Sequence, residues 1–257
     1  MTLKKILQYL PVFLLLANCS VKKKISSDHN YEVKRDTLTL FDQSRNRKIP
    51  VAYYLPKTHK KIPNQQVIIF NHGYGFNKGG DYFVYSYLTE KLASKGYFTV
   101  SIQHEQTTDP LLPVEGNLQI VRRPFWQSGS DNILYVLKEL KETNPDLDYK
   151  HLTLIGHSNG GDMAALFGNQ HPNLVYKIIT MDNRRMFLPR TSIPKIYSLR
   201  SKDYPADDGV LPTEEEQKKF HMTVQPTSIN HSHMDNKGDD EEKKVLNSFI
   251  LKYLEEH

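Results

Sequence analysis

Ser158 stands in Gly156-His157-Ser158-Asn159-Gly160, with Gly161 following. A serine hydroxyl is a weak nucleophile at neutral pH. To attack a carbonyl it needs a histidine to take its proton and a carboxylate to orient that histidine. Both residue types occur downstream. His231 and His233 lie in "INHSHMD", while Asp182 follows "IIT" and Asp203, Asp207 and Asp208 follow "PKIYSLR". The chemistry open to such a set is acyl transfer through a serine ester. His231, Ser232 and His233 also form a His-x-His which, with Asp235, has a metal-ligand look. No second histidine pair at ligand spacing accompanies it, and no metal or other cofactor is expected.

Such a serine must be held by a strand, a sharp turn and a helix. "HLTLI" before the motif is a short, mainly apolar run of the kind found in buried strands. "GGDMAALFGNQ" after it places Met163, Leu166 and Phe167 at helical spacing. A structural turn accounts for one glycine, whereas Gly156, Gly160 and Gly161 together suit a place where strand and helix pass closely. The same alternation extends along the chain. "QVIIF", "YFTV", "VYKIIT" and "PKIYSL" read as continuous apolar strands, with helical segments near 82–95, 130–143, 160–169 and 240–255. This pattern predicts a mostly parallel sheet covered by helices on both faces. Ahead of it, "DTLTLFD" and "IPVAYYLP" flank the turn-forming "QSRNRK" and predict an antiparallel hairpin.

With the elbow in place, the chain from about residue 35 resembles the α/β-hydrolase superfamily, in the form of a compact serine esterase without a separate cap domain. "IIFNHGYG" (68–75) resembles the oxyanion loop after the third strand. The resemblance nominates the backbone amides of Tyr74 and Asn159 as oxyanion donors, and His72 as a residue that orders the loop. It implies the chain order nucleophile, acid, histidine. His231 is then the expected base, with His233 as alternate. Asp203, at the end of the strand that usually carries the acid, is the expected acid; Asp182 and Asp207 are the alternatives, with Asp208 in the same loop. His157 is expected to pack away from the hydroxyl. The implied activity is hydrolysis of a small-molecule carboxylic ester through an acyl-enzyme. A thioesterase, lipase, peptidase or acyltransferase would use the same residues, and a non-catalytic envelope protein could keep the fold.

Residues 103–131, "QHEQTTDPLLPVEGNLQIVRRPFWQSGSD", predict a long loop and therefore a lid or pocket wall. Arg122 and Arg123 within it, like Arg184 and Arg185, either pair with nearby carboxylates such as Glu105 and Glu115 or meet an anion on the substrate.

The 257 residues, 38% hydrophobic and 25% charged, suffice for one large core. The net charge of +5, without an interleaved basic and aromatic stripe, gives no footprint for nucleic acid. The start, "MTLKKILQYLPVFLLLANCS", has a basic head and an apolar run too short to span a bilayer comfortably, the pattern of a secretory signal peptide. "LANC" resembles the lipobox of bacterial lipoproteins, with Asn18 where a smaller residue is usual. The resemblance implies a signal peptide over 1–18 and a lipidated Cys19 opening a polar tether over 19–34. A catalytic domain over 35–257 would then be membrane-anchored in the cell envelope, at the outer membrane since Ser20 follows the cysteine. A secreted or periplasmic protein is the alternative. Labelled palmitate is expected to enter the protein and Cys19→Ser to abolish its entry. Recovery of a soluble, unlipidated chain starting at or after Cys19 would contradict the anchor.

Overall fold

The computed structural model describes residues 30–256; Cys19 and the signal segment lie outside them. The apolar runs form one eight-stranded sheet in the order β1-β2-β4-β3-β5-β6-β7-β8. Its strands are β1 (Val33–Asp42), β2 (Arg47–Pro56), β3 (Gln66–Asn71), β4 (Phe98–Ile102), β5 (Asp148–His157), β6 (Lys177–Met181), β7 (Lys195–Arg200) and β8 (Thr223–Pro226). The first two make the expected antiparallel hairpin, with Val33 opposite Pro56, and β2 pairs antiparallel with β4. From β4 to β8 every pairing is parallel. The α/β-hydrolase architecture expected from the sequence is the observed one.

The central strands β3, β4, β6 and β7 are mainly apolar and almost wholly buried because both faces are covered. One face packs against α3 (Arg123–Thr143) and α4 (Asn159–Gln170), burying Val100, Leu154, Trp126, Ile133 and Phe167. The other packs against α1 (Ser86–Ser94) and α6 (Asp240–Glu255), burying Phe70, Ile155, Leu88, Leu246 and Ile250. At about 25 cal/mol per Å² of apolar area removed from water, these two layers supply the main driving force for folding. The C-terminal helix is also held polar to polar. The Lys177 ammonium, at the start of β6, donates to the carbonyls of Tyr253 and Leu254 at 2.8 Å and of Glu256 at 2.5 Å. These are among the carbonyls that the helix end cannot satisfy itself.

One expectation is corrected. The segment 103–131 is not a continuous loop: it holds α2 (Leu118–Val121) and the first turns of α3, which begins at Arg123 with Pro124 in its first turn. Proline is well placed there because the N–H it lacks would have had no intrahelical partner. Trp126, read as part of a lid, is buried on the inner side of this helix. Leu111 and Val114 remain exposed, at 66% and 75%.

Candidate active site

Ser158 joins β5 to α4 with φ 50° and ψ −118°, in the region that residues with a Cβ rarely occupy and that surroundings must enforce. Its N–H donates to the carbonyl of Met181 at 2.9 Å, tying the turn to the end of β6. The glycines follow from close approach. A Cβ on Gly156 would run into the carbonyl of Gly160, and one on Gly160 would run into the carbonyls of Asn71 and His72. The first turn of α4 thus lies directly against the ends of β5 and β3, which aims the serine above the sheet.

His231 comes to this place from the loop after β8. Its ring lies tilted beside that of His157, centroids 4.6 Å apart, and Tyr204 stacks on it at 4.9 Å. Its Nδ1 meets Asp182 Oδ2 at 2.5 Å, so Nε2 points to the opposite side of the ring. Asp182, fully buried at the end of β6 with φ 58°, is unusually well partnered. Ser201 donates its N–H to Oδ1 at 3.0 Å and its hydroxyl to Oδ2 at 2.7 Å, and Arg200 Nη2 lies 2.8 Å from Oδ1. Burial pushes this carboxyl upward, but the His231 bond, the Arg200 charge and the Ser201 donors outweigh it and hold the group below the usual carboxylate range.

Asp203, the expected acid, does not reach the ring. It is exposed and accepts the backbone N–H of His231 through Oδ1 at 2.7 Å. The residue facing Nδ1 is Asp182, the alternative from the preceding strand. Asp207 sits further out, 3.9 Å from Arg185 Nε. His233, the alternate base, turns to Glu242 at the start of α6, 2.9 Å from Nδ1. The two histidines of "HSH" therefore address different carboxylates.

Behind the serine the loop after β3 is fastened by buried polar groups. His72 Nδ1 lies 2.7 Å from the carbonyl of Gly73, and its Nε2 accepts from the N–H of His104 at 2.9 Å. The Tyr85 hydroxyl accepts from Gly73 N–H at 3.1 Å and meets His157 Nδ1 at 2.7 Å. Burial, then the neighbouring His231, pushes the His157 ring down to about 3, so this histidine stays neutral in working conditions. Asn159, the first residue of α4, is gripped at both ends of its side chain. Trp126 Nε1 donates to its Oδ1 and its Nδ2 donates to Glu105 Oε1, each at 2.9 Å. That grip fixes its backbone N–H, one of the amides a helix start leaves without an internal partner. Tyr74 is anchored through its hydroxyl, which accepts from Leu112 N–H at 3.0 Å.

No pattern in the sequence marks Arg200, Ser201 or Tyr85, beyond Arg200 as a charge closing the strand "KIYSL". Trp126, expected in a lid, instead donates to Asn159.

A strained serine between a parallel strand and a helix, on a sheet of this order, defines the α/β-hydrolase class. Comparison with known proteins agrees. Residues 52–186, more than half of the chain, match the BD-FAE family, and the chain belongs to that family of α/β-hydrolase esterases. Over 118 residues it is 28% identical to a mouse serine hydrolase-like protein, an alignment covering 44% of this chain and 35% of that one. The chain thus spans about a third of that relative's length. Its fold is similar to esterase Est22, with TM-score 0.64, 10% identity, and 88% of this chain and 81% of that one covered. It is similar again to an esterase from Rhizomucor miehei, with TM-score 0.63, 13% identity, and 91% and 85% covered.

Proposed function

We propose that the protein is a serine hydrolase that cleaves carboxylic esters through Ser158, His231 and Asp182. The observation that carries the reading is the His231–Asp182 pair standing beside the strained serine turn, with the free imidazole nitrogen directed away from the carboxylate. Ser158 Oγ attacks the ester carbonyl while His231 Nε2 takes its proton. The tetrahedral oxyanion is held by the amides of Tyr74 and Asn159. As the carbonyl re-forms, the C–O bond to the alcohol breaks and His231 returns the proton to the departing oxygen. Water then repeats the sequence on the acyl-enzyme, releasing the acid and restoring the serine. Asp182 stays ionised throughout and stabilises the imidazolium. Membership of an esterase family and the esterase folds nearby support the ester as substrate.

A fluorophosphonate probe tests the reading, since it reacts with activated serines. The protein is expected to take up one equivalent at Ser158, located by peptide mass, and to lose p-nitrophenyl butyrate hydrolysis in step. Intact protein after prolonged exposure would refute an activated serine. The envelope anchor through Cys19 is a separate proposal, supported by sequence alone.

A further inference from the structure

Two pairs of arginines flank the serine turn, Arg122 and Arg123 at the start of α3 and Arg184 and Arg185 just after β6. The carboxylates that could have paired with the first two do not: Glu105 is turned to Asn159, and no ion pair joins Glu115 to either arginine among the described residues. Arg122 Nε instead donates to the carbonyl of Pro113 at 2.8 Å, and Arg123 Nη1 reaches only the Met186 thioether, at 3.7 Å. Arg184 lies over the Tyr204 ring, 3.7 Å from its centroid, and that ring covers His231. Arg185 is the least satisfied. Its side chain is 13% exposed and its Nε is buried without a hydrogen-bond partner, with Asp207 at 3.9 Å.

Both pairs are tied to the first turn of α4. Asp162 donates its N–H to the carbonyl of Ser158 at 3.0 Å. Its Oδ1 accepts the N–H groups of Arg184, Arg185 and Met186 at 3.1, 2.9 and 2.8 Å. From the other side Trp126, one turn beyond Arg122, donates to Asn159. The two loops therefore face one another across the turn that carries the nucleophile. Burial, then the charges of Arg185 and Arg184, pull Arg122 below its ordinary range, against Asp162 and Asp207. Three cations thus meet two carboxylates, one of them already occupied by three amides. Partly desolvated like charges repel more strongly than in water, and guanidinium groups bind carboxylate or phosphate through paired N–H donors.

We propose that the ester substrate carries an anionic group, a carboxylate or a phosphate, held between Arg122 and Arg185 beside the scissile carbonyl at Ser158. This rests on the serine-hydrolase reading and narrows its substrate class.

Two matched pairs of esters test it. Mono-4-nitrophenyl glutarate against 4-nitrophenyl valerate puts the charge on the acyl part, and 3-carboxyphenyl butyrate against 3-carbamoylphenyl butyrate puts it on the alcohol part. In one pair the anionic ester is expected to have a kcat/KM about tenfold or more above its neutral partner at low salt, the range of one charge-assisted contact, mainly through KM. The ratio should shrink with added salt and fall toward one in Arg122→Gln and Arg185→Gln, while Arg35→Gln on β1 keeps the wild-type ratio. A ratio near one in both pairs, or one that survives both arginine changes, overturns the proposal. Should no ester be turned over, calorimetric binding of glutarate and of inorganic phosphate to Ser158→Ala separates the two readings. Binding that Arg185→Gln abolishes keeps the anion site while the hydrolase reading falls, and binding of neither anion removes the site.

Discussion

Ser158→Ala is expected to lower turnover of short-acyl p-nitrophenyl esters about a millionfold, the usual consequence of removing a triad serine. That factor corresponds to about 8 kcal/mol of transition-state stabilisation. Folding stability should change by only about 1–2 kcal/mol, because one hydroxyl is lost from a turn whose backbone is set by Gly156, Gly160 and the Met181 carbonyl. His231→Ala should be nearly as inactive, and the double variant no worse than either, since nucleophile and base act as a unit. His233→Ala, which only frees Glu242, should keep turnover within about threefold of wild type, as expected of a residue outside the reacting set. Steady-state kinetics with thermal unfolding of each variant decides the matter. Appreciable turnover in Ser158→Ala, or a larger loss in His233→Ala than in His231→Ala, would displace the assignment.

The second large effect concerns the acid. Asp182→Asn should reduce turnover about 10⁴-fold, because an amide facing Nδ1 favours the wrong imidazole tautomer and cannot stabilise the imidazolium. It should also destabilise the protein by about 3–5 kcal/mol, since the buried Arg200 guanidinium loses its counter-charge. The pH dependence has a definite sign. The folded carboxyl lies below its unfolded value, so its contribution to stability is full above the unfolded pKa and is lost as pH falls through the folded one. Wild type should therefore lose its stability margin over Asp182→Asn on acidification. Asp203→Asn removes only the charge of an exposed acceptor, since the amide oxygen can still take the His231 N–H, and should cost turnover less than about tenfold. Collapse of activity in Asp203→Asn with near-normal activity in Asp182→Asn would return the acid to the loop after β7.

Both aspartates approach His231 for a topological reason that the sequence could not rank. Strands β6 and β7 are parallel neighbours, Met181 opposite Leu199, so residues just beyond either strand emerge at the same edge of the sheet. Which of them turns inward depends on the loops. Asp182 takes a left-handed backbone conformation and is met by Arg200 and both donors of Ser201. The end of β7, where an acid was expected, instead supplies the partners of Asp182. A similar limit hid the role of Trp126. In the sequence it sits in a stretch rich in Pro, Gly and polar residues. Its burial follows from α3 starting seven residues before the apolar spacing near 130 becomes regular, which lets the indole reach Asn159, 33 positions away.

What the sequence determined by itself is what depends on contiguous residues: the hairpin, the alternation of apolar strands with helices, and the serine turn. In that turn the glycines at 156 and 160 record how closely β5, α4 and β3 pass. What only the tertiary structure decided is the pairing of groups far apart in the chain: Asp182 with His231, Arg200 with Asp182, and Trp126 with Asn159. Each of these is set by side-chain direction at a loop or a helix start, where several residues compete for one contact and burial and charge select among them. A strand or a helix start is written in neighbouring residues because its hydrogen bonds and its buried face repeat with a short period. A triad acid has no period, and any carboxylate at the right sheet edge is a candidate until the fold leaves one of them against the ring.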